Sequence, residues 1–386
     1  MRTAVVFVSH TGIVGGAERS LLGILKGLDR DRFDATLCAP SEGALLERAR
    51  GLGIAIAEID AVSAAYAGGL SRGSWNLLDA ARRARNTIRR LQPGLVHANS
   101  LRAGLVASLA VGRSVPTIWH VRDLLPPHPA NRLIGTVGRL CGVRWVANSL
   151  AVATSLRTVT SSPVRVVYNG IQVERFIGDA VPWPRIPPDV FPIVGIIGQI
   201  IPWKGQLELI DAFARLITEH PGAQLWIIGS PLFREESLQY EAAIKSRMTR
   251  PDVQGKIFLF GAREDIPEAL AALDILVINS TAEPFGRVIL EAQAAGVPVV
   301  ATRAGGAVEV VTHQTTGWLV RPGDTADMAQ ALITLAGDEA LRQRLAQEGR
   351  AQVRTRFTNA SMVDRMAAIF EETGLITGAS QELTGC

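Results

Sequence analysis

What most constrains this chain is an alternation that runs through it twice. Apolar runs of strand type recur, separated by stretches of helical periodicity. In the first half the strand runs are Arg2 to His10, Ala35–Ala39, Ile54–Ile59, Leu95–Asn99, Thr117–Val121, Arg144–Asn148 and Arg165–Tyr168. A helix is expected from Ala17 to about Leu28, and a strongly basic one from Trp75 to Leu91. Val173 to Val190 then breaks the pattern, with prolines at 182, 184, 187 and 188 and little periodicity. After it the alternation restarts, with strands at Ile193–Ile197, Leu225–Ile228, Ile257–Phe260, Ile275–Ile278, Val297–Ala301 and Trp318–Val320. Helices are expected at Gly205–Glu219, Glu235–Met248 and Gly286–Ala295, and the last third reads as helices at 325–337, 339–353 and 359–372.

Strands alternating with helices build parallel sheets from βαβ units. Two such halves around a proline-rich break predict an α/β chain of two doubly wound, Rossmann-like domains facing across a cleft. The expected boundaries are 1–175 for an N-terminal domain, 176–190 for a linker and 191–358 for a second domain. A C-terminal helix at 359–375 and a flexible tail at 376–386 complete the reading. The 386 residues suit two domains. No apolar run approaches the roughly 20 residues of a membrane span. The first residues lead straight into a strand without a cleavable signal pattern, and Cys38, Cys141 and Cys386 form no metal spacing or paired framework. A cytoplasmic protein is expected. Charge is split between the halves: 22 Lys and Arg against 11 Asp and Glu in residues 1–175, and 18 against 25 in the remainder. That asymmetry points to two domains with different partners, one of them anionic. No nucleic-acid recognition module accompanies the arginines.

In open α/β sheets, ligands bind at the carboxyl ends of the strands. The most suggestive such end is Asn279-Ser-Thr-Ala-Glu283-Pro-Phe-Gly286-Arg-Val-Ile-Leu-Glu291. Pro284 and Gly286 mark a turn into a helix, whose first N–H groups have no intrahelical partner and attract anions. Glu291 lies about 7.5 Å along that helix, so two carboxylates flank an anion-binding mouth. A ligand carrying both hydroxyls and phosphate, such as a sugar nucleotide, suits this pattern. The plainer alternative is an acid that favours the helix dipole and an Arg287–Glu291 pair at helical spacing.

Other strand ends add candidates. Lys204, in Gly198-Gln199-Ile-Ile-Pro-Trp-Lys204-Gly205, stands at a second helix mouth where its charge can meet a phosphate. Gly15 and Gly16 allow a ligand close to the backbone, or simply turn the chain; Glu18 and Arg19 read as first-turn residues. His120 ends a strand and is expected to face the cleft rather than the core, with a structural histidine as the alternative; His97 and His10 rank behind it. Gly261-Ala-Arg263-Glu-Asp265 follows another strand as a candidate nucleotide-pocket wall. Asn148-Ser149 and Asn169-Gly170 also end strands, and the Asn-Gly pair reads as a turn.

Taken in order, these motifs resemble glycosyltransferase family 4, the retaining glycosyltransferases of GT-B fold. The resemblance covers nearly the whole chain. It rests on Gly15-Gly-Ala-Glu18, His120, Val167-Tyr-Asn-Gly-Ile171 with Phe176, Gly198, Lys204-Gly205, Glu283-Pro-Phe-Gly with Glu291 at Glu-x7-Glu spacing, Gly305-Gly-Ala-Val-Glu309 and Gly317-Trp-Leu-Val320. It implies transfer of a sugar from a UDP- or GDP-sugar to an acceptor hydroxyl. Glu283 would hold donor-sugar hydroxyls and His120 would contact the sugar. Glu291 would take the ribose, and Arg263 would lie near the base. Lys204 and the backbones of Gly15, Gly16, Phe285, Gly286 and Arg287 would hold the diphosphate. No cofactor or metal is expected beyond the donor. Gln199 departs from the family, which usually has Arg there to share the diphosphate; a catalytically degenerate sugar-nucleotide binder is therefore one alternative. An epimerase or sugar phosphorylase is another. The acceptor reads as lipid-linked or part of a polysaccharide or lipopolysaccharide, with a soluble small molecule as the alternative. On the basic helix, Arg82, Arg85 and Arg89 share a face, with Leu77, Leu78, Ile88 and Leu91 as apolar companions. That surface is expected to dock on an anionic membrane, making the enzyme peripheral on the inner face rather than membrane-spanning.

Overall fold

The structure is a computed structural model and describes residues 2–59, 70–178, 189–231 and 235–382. Its strands form two all-parallel sheets, one in each of two compact units. Unit 1 comprises Met1–Gly170 and Asn359–Cys386, and unit 2 comprises Ile171–Thr358. The division falls five residues ahead of the expected 175/176 boundary, and most of the proline-rich linker lies outside the described residues. Ile171 pairs with Thr358 in an isolated bridge, and its N–H donates to the Phe357 carbonyl at 3.0 Å. The points where the chain enters and leaves unit 2 are thereby pinned together.

Unit 1 contains β1 (Thr3–Val8), α1 (Gly16–Gly27), β2 (Phe33–Ala39), α2 (Leu45–Gly51), β3 (Ala55–Glu58) and α3 (Leu70–Arg90). It continues with β4 (Leu95–Ala98), α4 (Leu101–Val111), β5 (Thr117–Val121), α5 (Ala130–Leu140), β6 (Arg144–Ala147), α6 (Leu150–Ser155) and β7 (Val164–Val166). Its strand order is β3-β2-β1-β4-β5-β6-β7. The chain builds outward from β1 to β3, and α3 returns it to the other side of β1. The order therefore reverses between β1 and β4, the place where doubly wound sheets open a crevice.

Two cores cover the two sheet faces, because strands buried on both sides carry apolar residues at every position. One packs α3 and α4 over Val96, Trp119 and Trp145, whose indoles meet edge to face at 4.8 Å. The other packs α1 and α2 with the last helix, α14 (Asn359–Glu382), against Phe7, Leu37 and Val146. α14 runs past the expected end at 375 and into the segment read as a tail. Gly23 and Gly27 of α1 make room for it: a Cβ on Gly23 would lie 2.4 Å from Asn359 Oδ1, and one on Gly27 2.8 Å from a Val363 methyl. Asn359 Nδ2 donates to the Gly23 carbonyl at 2.8 Å.

The basic helix differs from its sequence reading. Arg82, Arg85 and Arg89 are exposed as expected. Ile88, however, is fully buried, and Leu77 and Leu91 pack against the core, so only Leu78 of the four expected companions is exposed. The same 3.6-residue period serves both faces of the helix, and the sheet takes the apolar one.

Unit 2 contains β8 (Ile193–Ile197), α7 (Gln206–Glu219), β9 (Gln224–Ile228), α8 (Glu235–Met248), β10 (Ile257–Leu259), α9 (Ile266–Ala271) and β11 (Ile275–Ile278). α10 (Arg287–Ala295), β12 (Val299–Thr302), α11 (Ala307–Val310), β13 (Trp318–Val320), α12 (Thr325–Gly337) and α13 (Glu339–Arg356) follow. The strand order, β10-β9-β8-β11-β12-β13, reverses between β8 and β11. Asp324 and Asp338 cap α12 and α13 by accepting from Asp327 and Leu341 backbone N–H groups, as short acidic side chains do at N-caps.

Candidate active site

The reversal in unit 2 brings two loops together, one after β8 and one after β11. Each ends in a glycine in the left-handed region, Gly205 at φ 69° and Gly286 at φ 88°, which turns the chain directly into α7 and α10. The loops are stitched side by side. Asn279 Nδ2 donates to the Gly205 carbonyl at 2.8 Å, and the Thr281 N–H donates to the Trp203 carbonyl at 2.9 Å. A Cβ on Gly205 would lie 2.4 Å from the Asn279 carbonyl oxygen, so the approach needs glycine.

This stitching joins two residues 79 positions apart. Lys204 Nζ donates to Glu283 Oε2 at 2.6 Å. The side chains are 18% and 7% exposed, so the pair is shielded and cannot be treated as a weak surface ion pair. The same Oε2 accepts from Ser280 Oγ at 2.9 Å. Lys204 Nζ also stands 4.4 Å from the centre of the Trp203 ring. Thr302 Oγ1 donates to the Ser280 carbonyl at 2.5 Å, bracing the loop from β12. Ser280 and Asn279 orient this site, and the sequence reading did not single them out.

Gly305 and Gly306 hold the far side of the Glu283 loop. The Gly306 N–H donates to the Glu283 carbonyl at 2.7 Å. Gly305 sits at φ 55°, and a Cβ there would lie 2.0 Å from that carbonyl oxygen. Gly305→Ala is expected to cost about 1–3 kcal/mol of stability through backbone strain alone and to displace the Glu283 loop. A lowered unfolding midpoint in denaturant together with lost turnover is the expected result; wild-type values for both would refute it.

Glu291 is buried and accepts from Arg287 Nε at 2.8 Å, so the plainer alternative for this pair is realised. Arg263 donates to both carboxylate oxygens of Asp265, at 2.8 and 2.5 Å. That hydrogen bonding, more than the charge itself, holds the Asp265 carboxyl below the usual carboxylate range. Gln199 is half-buried, and its backbone carbonyl accepts from Gln206 Nε2 at 2.9 Å. Phe285 is buried and meets Phe357 edge to face at 6.1 Å.

In unit 1, Gly15 is the N-cap of α1, with Gly16 its first residue. Glu18 is buried, and its Oε2 accepts from the Gly15 N–H at 3.1 Å, the returning half of a capping box. Burial pushes the Glu18 carboxyl up. His10 Nδ1 lies 2.9 Å from Oγ of Ser100, the N-cap of α4, and burial lowers its pKa to about 4.

His120 corrects an expectation. It is not exposed at the strand end but fully buried, because it lies inside β5 beside His97 of β4 and beneath Arg122. Burial lowers the His97 pKa to about 3 and holds His120 well below its ordinary value, with the Arg122 charge adding to both shifts. Asn169, read from sequence as a turn residue, also points inward: its Oδ1 accepts from Arg122 Nη1 at 2.6 Å and from Ser20 Oγ at 2.9 Å.

Two family models match the chain in succession. Residues 14–175 match the model described as Glycosyltransferase Family 4, and residues 184–352 match Glycosyl transferases group 1. The lipopolysaccharide core biosynthesis glycosyltransferase LpsE of Rhizobium meliloti is 34% identical over 173 residues, covering 45% of this chain and 48% of that protein. A GDP-mannose-dependent monoacylated alpha-(1-6)-phosphatidylinositol monomannoside mannosyltransferase of Corynebacterium glutamicum is 34% identical over 192 residues, covering 47% and 48%. The chain spans about half the length of the curated relatives it matches. Among solved structures, Anabaena Alr3699/HepE in complex with UDP-glucose superposes with a TM-score of 0.79 at 27% identity, covering 96% of this chain and all of that one.

Proposed function

Because the chain belongs to the family 4 glycosyltransferases, built on the GT-B fold, we propose that it transfers a sugar from a UDP- or GDP-sugar to an acceptor hydroxyl with retention of configuration. The observation that carries this reading is the Lys204–Glu283 pair beside the first turn of α10, at the strand-order reversal of unit 2. In the proposed reaction the bond between the anomeric carbon and the diphosphate breaks. The acceptor oxygen bonds to the same face, and its proton passes to the leaving phosphate. Lys204 and the α10 first-turn amides meet the charge that grows on the leaving group. Glu283, held by Ser280 and Lys204, takes donor-sugar hydroxyls. Glu291 takes the ribose, Arg263 lies near the base, and His120 contacts the sugar. The backbones of Gly15, Gly16, Phe285, Gly286 and Arg287 hold the diphosphate, and Gln199 supplies a neutral contact. Since Lys204 and the amides carry the phosphate charge, turnover should persist in chelator.

The UDP-glucose complex of the structural neighbour supports a nucleotide-sugar donor. The relatives named for lipopolysaccharide core and phosphatidylinositol mannoside support an acceptor that is lipid-linked or part of a cell-surface polymer. The test is a thermal-stabilisation screen of nucleotide sugars, followed by mass spectrometry of cell extract incubated with the stabilising donor. A glycosylated product supports transfer. Stabilisation with neither product nor donor turnover would favour the degenerate binder that Gln199 suggests, and donor turnover without acceptor an epimerase.

The exposed arginines of α3 favour peripheral docking on an anionic membrane. Among the described residues no helix is long and apolar enough to cross a membrane. With Ile88, Leu77 and Leu91 committed to the core, attraction rests on Arg82, Arg85 and Arg89, each contributing about 1 kcal/mol near an anionic leaflet. Co-sedimentation with phosphatidylserine vesicles should fall as salt rises and drop when the three become Ser. Equal partitioning to neutral and anionic vesicles, or none to either, would favour a soluble acceptor.

A further inference from the structure

The polar cluster at the carboxyl ends of β4 and β5 fixes a proton. His97 and His120 project from the same sheet face, with His97 Nε2 3.2 Å from His120 Nδ1 and the rings edge to face. Two residues farther along each strand are Asn99 and Arg122, also buried. Arg122 is held from three elements. Its Nε donates to Asn99 Oδ1 at 2.9 Å, and its Nη1 donates to Ser20 Oγ of α1 at 2.9 Å and to Asn169 Oδ1 after β7 at 2.6 Å. These contacts leave Nη2 facing His120 Nδ1 at 3.2 Å.

A guanidinium has donors only, so the ring nitrogen it faces must carry a lone pair. A neutral imidazole with a bare Nδ1 bears its proton on Nε2. With the guanidinium in place His97 Nε2 is the donor toward the same Nδ1; without it the two rings are free to exchange roles, His120 Nδ1–H donating to a bare His97 Nε2. His120 Nε2 is buried and has no hydrogen-bond partner among the described residues. A buried donor left unpaired is costly, which makes it a group reserved for a ligand oxygen.

We infer that Arg122 is a positioning residue, which locks His120 in its Nε2–H tautomer so that the strand-end imidazole meets its ligand as a hydrogen-bond donor and never as a base. The identity of the ligand, a hydroxyl-rich sugar, rests on the function proposed above; the tautomer does not.

The test is two-bond 1H–15N correlation on the whole protein with 15N-labelled histidine, the His120 signals being assigned by their loss in His120→Gln. Wild type should show His120 Nε2 at a pyrrole-like shift and Nδ1 at a pyridine-like shift. In Arg122→Met, which removes every donor, His120 should lose this pattern by moving protons onto Nδ1, whereas Arg122→Lys, again donor-only, should retain it. Turnover with the stabilising nucleotide sugar should fall in Arg122→Met and recover in Arg122→Lys. A wild-type His120 protonated on Nδ1 overturns the inference without any variant having to fold. So does an unchanged Nε2–H pattern in Arg122→Met. Absent turnover in wild type, with the tautomer as stated, would instead count against the proposed reaction alone.

Discussion

Glu283→Gln is expected to lower kcat by a factor of about 10² to 10³, the size of effect seen when one charged or hydrogen-bonding group aimed at a transition state is removed. Gln keeps the shape and can still meet Ser280, but it discards the charge that pairs with Lys204 across the two stitched loops. Lys204 is mostly buried, so its charge is left without the carboxylate that now balances it. Glu291→Gln breaks a different pair, with Arg287 one helical turn away, and is expected to raise the donor KM while leaving kcat close to wild type. Initial rates over a donor concentration series separate the two. Near wild-type turnover in Glu283→Gln would remove that residue from the reaction.

Acid should destabilise unit 1 steeply. His10, His97 and His120 all have folded pKa values below the ordinary 6.5, at about 4, about 3 and well below it respectively, each mainly through burial. The unfolded chain therefore takes up protons first as pH falls. Stability is complete above pH 6.5 and is lost below it, by about 1.4 kcal/mol per pH unit for each histidine, until the folded pKa is reached. Between pH 7 and 5 His10 and His97 should each cost about 2 kcal/mol, and His120 acts in the same direction. Glu18, whose carboxyl is raised by burial, acts in the opposite direction but only near the carboxylate range. In unit 2 His313 is shifted the same way as the three, and for the same main reason. Calorimetry at pH 7, 6 and 5 should show the unit 1 transition moving to lower temperature before that of unit 2. A transition temperature unchanged over this range would contradict the burial of these rings.

The two sheets were legible from strand and helix periods because fully buried parallel strands write themselves as apolar runs. Gly15, Lys204 and Glu283 stand out in the sequence as candidates for a related reason, since each follows such a run. What no local pattern carries is strand order. The adjacency of β8 and β11 puts Lys204 on Glu283, yet they are 79 residues apart in the chain. Ser20 and Asn169 meet on Arg122 from 149 residues apart, and nothing beside either residue announces it. The burial of His120 has the same origin. A polar residue near a strand's carboxyl end reads as exposed, but His97 of β4 and Arg122 close over its Nδ1 edge. The basic helix misled through its period, which shows that a helix has an apolar face but not what that face meets; here it is the sheet that covers Ile88.

Binding of a donor diphosphate at Lys204 is tested most directly by calorimetric titration of UDP and GDP. Wild type should bind one of them at a single site. Lys204→Ala should weaken that binding by about 1.5–3 kcal/mol, the worth of a charge-assisted hydrogen bond, or roughly ten- to a hundredfold in Kd. Equal affinities in wild type and Lys204→Ala would place the diphosphate elsewhere and contradict the site described.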